Sequence, residues 1–182
     1  VDEVAWMQDF KPSKIYEFDK PLIVVRQMET KSAYALGKID VTEKLAKKLA
    51  KLGNILFIAR YSAHKRENIL TMENFVDTAA LVSKADIVVS MGGTIAREAA
   101  LQGIPSIALS ELGRTYVNEY LTQKGFPLFI VPASRVIAIA RRYLGKRWDV
   151  KEKLAKLENP VDTIEKIVEE KSMRLCKNSA EH

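Results

Sequence analysis

Ala85-Asp86-Ile87-Val88-Val89-Ser90-Met91-Gly92-Gly93-Thr94-Ile95-Ala96-Arg97-Glu98-Ala99-Ala100-Leu101-Gln102-Gly103-Ile104-Pro105 reads as strand, glycine turn, helix and helix stop. Ile87, Val88 and Val89 form a continuous β-branched run, the pattern of a strand buried on both faces of a parallel sheet. Gly92-Gly93 lets the backbone turn tightly and approach a ligand without a Cβ in the way. Thr94 caps or opens the following helix, Gly103 sits where it stops, and Pro105 blocks continuation. The amides at the head of that helix are unpaired and carry the positive end of its dipole, so Gly92, Gly93 and Thr94 suit a phosphate.

At about 100° per residue, Ala96, Ala99, Ala100 and Gly103 share a narrow face of small residues fit to pack on a sheet. Thr94, Arg97, Glu98 and Leu101 fall on the opposite side. Helical side chains lean toward the N-terminus, so Glu98 reaches back toward whatever rests on the glycine turn. A carboxylate there accepts hydrogen bonds from a sugar diol or, alternatively, only complements the helix dipole.

Outward from this stretch, short apolar runs alternate with helical patterns. Leu22-Ile23-Val24-Val25 is a strand ending at Arg26, Ile55–Ala59 a second ending at Arg60-Tyr61, and Asn68-Ile69-Leu70 a brief third. Ser106–Leu109 and Leu128–Val131 follow the central strand. Asp40 and Glu43 are spaced as a capping box for a helix over 41–52. Further helices are expected near 76–83, 115–124, 133–144, 150–157 and 160–173. The pattern predicts an α/β, Rossmann-like open parallel sheet of about six strands, helices on both faces. With strand order 3-2-1-4-5-6, the reversal falls between the strands at 22–25 and 86–89. Arg26, Arg60 and the glycine turn then meet at one crevice suited to a pyrophosphate. Residues 1–20 read as a linker entering the domain, 21–158 as the Rossmann-like domain, and 159–182 as a helix with a polar tail.

Bulk properties narrow the function classes. The 182 residues suffice for one well-buried domain, and 47% apolar with 29% charged residues is ordinary for a soluble globular protein. No apolar run spans a bilayer and no signal-peptide pattern appears. The single cysteine, Cys176, excludes an internal disulfide and points to a reducing, cytoplasmic setting. Two histidines, one terminal, leave no ligand set for structural zinc, and His64 reads as a surface residue. The net charge of +6 comes largely from Lys38–Lys51 and Arg135–Arg147. Neither group shows a nucleic-acid motif or base-stacking aromatics, so solvated helix faces are expected and nucleic acid is not a partner. Contact of the second group with an anionic membrane surface is the less favoured reading.

The quoted stretch resembles the core motif of an uncharacterised, largely archaeal family of GT-B-like proteins, similar to UDP-N-acetylglucosamine 2-epimerase and to the N-acetylglucosaminyltransferase of peptidoglycan synthesis. Asp9-Phe10-Lys11-Pro12, Val24-Val25-Arg26 and Arg60-Tyr61 look like further landmarks of the family. The resemblance implies one half of a GT-B fold, the half that holds a nucleotide-sugar donor, with the N-terminal domain as its missing partner. It implies diphosphate on Gly92, Gly93 and Thr94, ribose on Glu98, and a sugar contact from Asn118 in Tyr116-Val117-Asn118. No cofactor or metal is implied; a UDP-sugar is the ligand. The 160–173 helix would cross back to the first domain, and its Ile164, Ile167 and Val168 stripe favours some self-association in a lone domain. Two other readings compete. A nicotinamide-dinucleotide domain requires G-x-G-x-x-G after the first strand, where residues 26–37 offer only Gly37. A non-enzymatic binding module of the same fold is the other.

Overall fold

The computed structural model describes residues 7–8, 10–11, 16–61, 69–72 and 77–179. Trp6, Asp9, Pro12, His64 and Asn68, singled out from the sequence, lie outside the described residues. The chain divides into two compact units, Lys11–Val150 and a smaller one drawn from Val1–Phe10 and Lys151–His182.

In the larger unit six strands form one sheet: β1 Leu22–Arg26, β2 Asn54–Ile58, β3 Ile69–Met72, β4 Ile87–Ser90, β5 Ser106–Leu109 and β6 Leu128–Val131. Their order is β3-β2-β1-β4-β5-β6, the dinucleotide-type order expected above, and every pairing is parallel. The helices are α1 Thr42–Leu49, α2 Thr78–Val82, α3 Thr94–Leu101, α4 Ser110–Gly113, α5 Tyr116–Gln123 and α6 Val136–Tyr143. Alternate strand residues point to opposite faces. Ile23, Val25, Phe57, Val89 and Leu109 pack with Leu45 and Leu49 of α1 and Val136 and Ala140 of α6. Leu22, Val24, Leu56, Ile58 and Val88 pack with Leu81 and Val82 of α2 and Ile95 and Ala99 of α3. Both faces are thus covered, which is why the strands read as unbroken apolar runs.

The small face of α3 is fully buried at Ala96, Ala99 and Ala100. On its opposite side Thr94 is exposed and Arg97 partly so. Glu98 and Leu101 are buried, because α2 packs alongside α3. Asp40 accepts the Thr42 amide at the start of α1, and Glu43 pairs with Lys47 one turn on. The helix α4 is too short to leave a period in the sequence.

The amino pole of the sheet is closed by polar bonds around β4. Asp86 accepts the Leu22 amide at 2.7 Å and Lys20 Nζ at 3.0 Å. Residues 145–148 run past this pole: Gly145 N donates to Asp86 O, Arg147 Nη2 to Ala85 O at 2.8 Å, and Trp148 N to Gly103 O at 2.9 Å. Tyr143 stacks on Phe129 with centroids 4.5 Å apart, and Arg142 and Lys146 lie over the Tyr143 ring. Part of the second basic group therefore rests on an aromatic ring already used for packing.

In the smaller unit α7 spans Lys151–Ala155 and α8 Pro160–Ser179. Gln8 Nε2 donates to Leu154 O and Leu157 O, and Met7 and Leu157 are buried. α8 runs beyond the expected 160–173, and Val161, Ile164, Ile167 and Val168 are exposed along it. Among the described residues no helix is long and apolar enough to cross a membrane.

Candidate functional site at the sheet switch point

β1 has β2 on one side and β4 on the other, so consecutive connections leave in opposite directions from the gap between β1 and β4. A crevice opens at the carboxyl ends of strands at such a point. It is present here as a cavity of about 340 Å³, lined by Arg26, Gln27, Met28, Glu29 and Arg60 from one side and by Ser90, Met91, Gly92, Gly93, Arg97, Leu112 and Thr115 from the other.

The β4–α3 side is built from backbone. Gly92 has φ +123° and Gly93 φ +100°, values that L side chains rarely adopt. A Cβ on Gly92 would come within 2.8 Å of Gly113 Cα and of Leu112 O, so the turn lies directly on α4. A Cβ on Gly93 would meet nothing within 4 Å; the surface there faces open space. α2 and α5 each have a capping oxygen, from Asp77 and Thr115, but no side chain caps α3 at Gly93. The amides of its first turn keep their capacity to bind an anion.

Arg97, one turn into α3, also reaches the cavity wall. Its Nε donates to Asn118 Oδ1 at 3.0 Å, and Asn118 Nδ2 donates to Gly113 O at 2.7 Å. Asn118 is fully buried and does not line the cavity. Both ends of its amide are occupied within the protein, which ties α3, α4 and α5 together behind the wall. Thr94 is exposed at the first position of α3, beside the wall rather than in it.

The β1–β2 side is built from side chains. Arg26 is half-buried at the end of β1; burial and the neighbouring Arg60 push its pKa down, and Glu29 pushes it back up. It stays positive at neutral pH. Arg60 donates from Nε to Gln27 O at 3.3 Å and from Nη1 to Glu29 Oε2 at 3.3 Å, while Gln27 Oε1 takes the Arg60 amide at 2.9 Å. Glu29 Oε1 accepts the Tyr61 hydroxyl and the Lys31 amide. Tyr61 Oη in turn accepts the amides of Thr30 and Lys31 at 3.0 and 3.1 Å.

Glu98 lies one turn beyond the glycine turn and is only 7% exposed. It does not line the cavity. Burial raises its pKa, with a hydrogen bond from Thr78 opposing the shift and Asp77 adding to it. Its Oε2 has no hydrogen-bond partner among the described residues. The structure thus brings Gly92, Gly93, Arg26 and Arg60 to one cavity and sets Thr94, Glu98 and Asn118 at its margin or behind it. The sequence reading gives no site role to Arg97, Glu29 or Tyr61, although it names Arg97 on the helix face and Tyr61 at the end of its strand. Arg97 stands three residues after Thr94 on the same helix face, which was the available signal. Among the described residues no three His, Cys, Asp or Glu side chains gather as a metal would need.

Sheet order and switch-point cavity define an α/β, Rossmann-like domain whose fold is similar to part of several solved glycosyltransferases. The chain belongs to the family described as "Protein of unknown function (DUF354)", whose model matches residues 10–173. It is 30% identical over 151 residues to the uncharacterized protein MJ0665 of Methanocaldococcus jannaschii, covering 79% of this chain and 42% of that protein. The chain therefore spans less than half the length of the curated relative it matches. Among solved structures it is similar to the glycosyltransferase SnogD from Streptomyces nogalater, with TM-score 0.55, 20% identity, and coverage of 87% of this chain and 46% of that one. Spinosyn forosaminyltransferase SpnP gives 0.54 at 19% identity, covering 90% and 45%. Glycosyltransferase SsfS6 from Streptomyces sp. SF2575, solved with thymidine diphosphate, gives 0.50 at 20% identity, covering 88% and 45%.

Proposed function

We propose that this chain is the nucleotide-sugar-binding domain of a glycosyltransferase-like or sugar-nucleotide epimerase-like protein, with a UDP-sugar as ligand and an N-terminal GT-B domain as partner. The observation that carries the reading is the meeting, at one switch-point cavity, of Arg26, Arg60 and an uncapped helix head at Gly92-Gly93. With Arg97, three guanidinium groups face one carboxylate, Glu29, so the wall has the charge sign a diphosphate needs. The diphosphate sits over Gly93, in the space no Cβ fills, with Gly92 and Thr94 beside it. The ribose hydroxyls are assigned to Glu98, whose Oε2 has no hydrogen-bond partner among the described residues, a contact that requires the margin of the cavity to open toward it. Asn118 serves the sugar side indirectly, by holding Arg97 in place.

In a transfer reaction the negative charge building on the departing nucleoside diphosphate falls on Arg26, Arg60 and the head of α3, an electrostatic stabilisation that requires no metal. The acceptor side and any acid–base groups belong to the partner domain, so the chain alone turns over no sugar nucleotide. Product formation from a UDP-sugar by the purified chain, followed by chromatography, would refute that part.

Thermal denaturation tests the binding. UDP or UDP-N-acetylglucosamine is expected to raise Tm. Gly93→Asp, which puts a carboxylate in the phosphate position, abolishes the shift, and Glu98→Ala reduces it. A flat response to uridine nucleotides beside a clear one to NAD discards the proposal.

A further inference from the structure

We propose that Glu29 is the resident counter-anion of the cavity, a carboxylate that a ligand must displace from Arg60, and that it thereby sets a preference for a diphosphate over a monophosphate. The inference rests on the nucleotide-binding reading of the same cavity.

The positively charged wall already contains an anion of its own. Glu29 Oε2 takes Arg60 Nη1 at 3.3 Å, and the neighbouring Arg26 also senses the Glu29 charge. Arg60 is not the only group that holds the carboxylate there. Its other oxygen accepts the Tyr61 hydroxyl and the Lys31 amide, and Tyr61 Oη is itself fixed by the Thr30 and Lys31 amides. These donors are neutral, and all of them belong to the two loops that carry Glu29 and Tyr61. They hold the Glu29 carboxyl below the usual carboxylate range, and it stays ionised at neutral pH. Glu29 therefore has partners at the wall besides Arg60, and these stay available to it when a ligand takes the guanidinium.

Two consequences follow for any phosphate. A lone phosphate gains the Arg60 guanidinium only by replacing one anionic partner with another, while feeling the repulsion of a carboxylate still tied to Tyr61 and the Lys31 amide. That exchange is close to even for partly exposed charges. A diphosphate has a second group of oxygens to place on the Gly92-Gly93 turn and Arg26, contacts for which Glu29 is no rival. The carboxylate penalises both ligands, but a diphosphate anchored on the turn and Arg26 stands mostly away from it, so its penalty in binding free energy is the smaller. On release of product it takes Arg60 back.

Calorimetric titration of the 182-residue chain with UDP and with UMP, at one fixed ionic strength, tests this. In Glu29→Gln and in Glu29→Ala, UMP is expected to bind about two- to fivefold more tightly than in wild type. UDP gains less, so the ratio of the two dissociation constants narrows. If both variants lose affinity for UDP and UMP alike, Glu29 merely orders the wall and the inference is wrong. An unchanged ratio overturns it too. If wild type binds neither nucleotide, the underlying reading fails and takes this one with it, an outcome distinct from the other two. Using both variants separates loss of charge from any effect of the amide.

Discussion

The two walls of the switch-point cavity are made in different ways. On the β4–α3 side the shape comes from the main chain, with Gly92 laid against α4 at a distance that leaves no room for a Cβ, and with a buried asparagine behind it. On the β1–β2 side it comes from partly exposed charged side chains linked through Gln27, Glu29 and Tyr61. The first wall is bound to the stability of the domain. The second can be rearranged at little cost to folding, so it is where ligand preference can be tuned.

The largest effect that would sharpen this contrast is expected from Gly92→Ala. It combines a disfavoured positive φ with a backbone collision, about 3 kcal/mol of lost stability by chemical denaturation. Gly93→Ala, strained but in open space, should cost about 1 kcal/mol and leave the fold intact. Equal losses at the two glycines would break the distinction between a packing glycine and a ligand-facing one. Asn118→Ala comes next, about 2 kcal/mol, because it leaves the Gly113 carbonyl without its buried donor. It should weaken nucleotide binding as well, through Arg97.

The smallest effect is expected from Glu98→Gln, and its sign is informative. Burial raises the folded-state pKa of Glu98 above the ordinary 4.5, so the folded protein holds this proton more tightly than the unfolded chain does. The group's contribution is fully present below pH 4.5 and is lost as pH rises through the folded-state value. The glutamine variant should therefore unfold at a higher temperature than wild type at neutral pH, with the gain vanishing below pH 4.5. A variant less stable than wild type at neutral pH would show that the carboxylate is needed by the fold itself.

The walls also differ in how far the sequence reveals them. β-branched runs, a glycine pair and a helix stop are local signals, and they place β4, the turn, α3 and the strand order. The burial of Glu98 is not legible, because a helix wheel measures direction relative to the sheet. It has no term for α2, whose packing on α3 buries the carboxylate. Asn118 depends on partners 5 and 21 residues away, and only the folded chain shows that its amide is occupied. The Glu29–Tyr61 bond joins loops 32 residues apart. Neither loop has a period or a cap that would announce it. What is written in backbone geometry can be read locally, and what is written in side-chain pairing cannot.

The segment 145–148, bonded through its own backbone and Arg147 to Ala85, Asp86 and Gly103, works as a strap across the end of the sheet remote from the cavity. A domain buckled at one pole can exchange loops at the other without loosening its central strand. In hydrogen–deuterium exchange the Gly145 and Trp148 amides should then be among the slowest outside the sheet. The amides of Thr30 and Lys31, exposed and bonded only to side chains, should open orders of magnitude sooner.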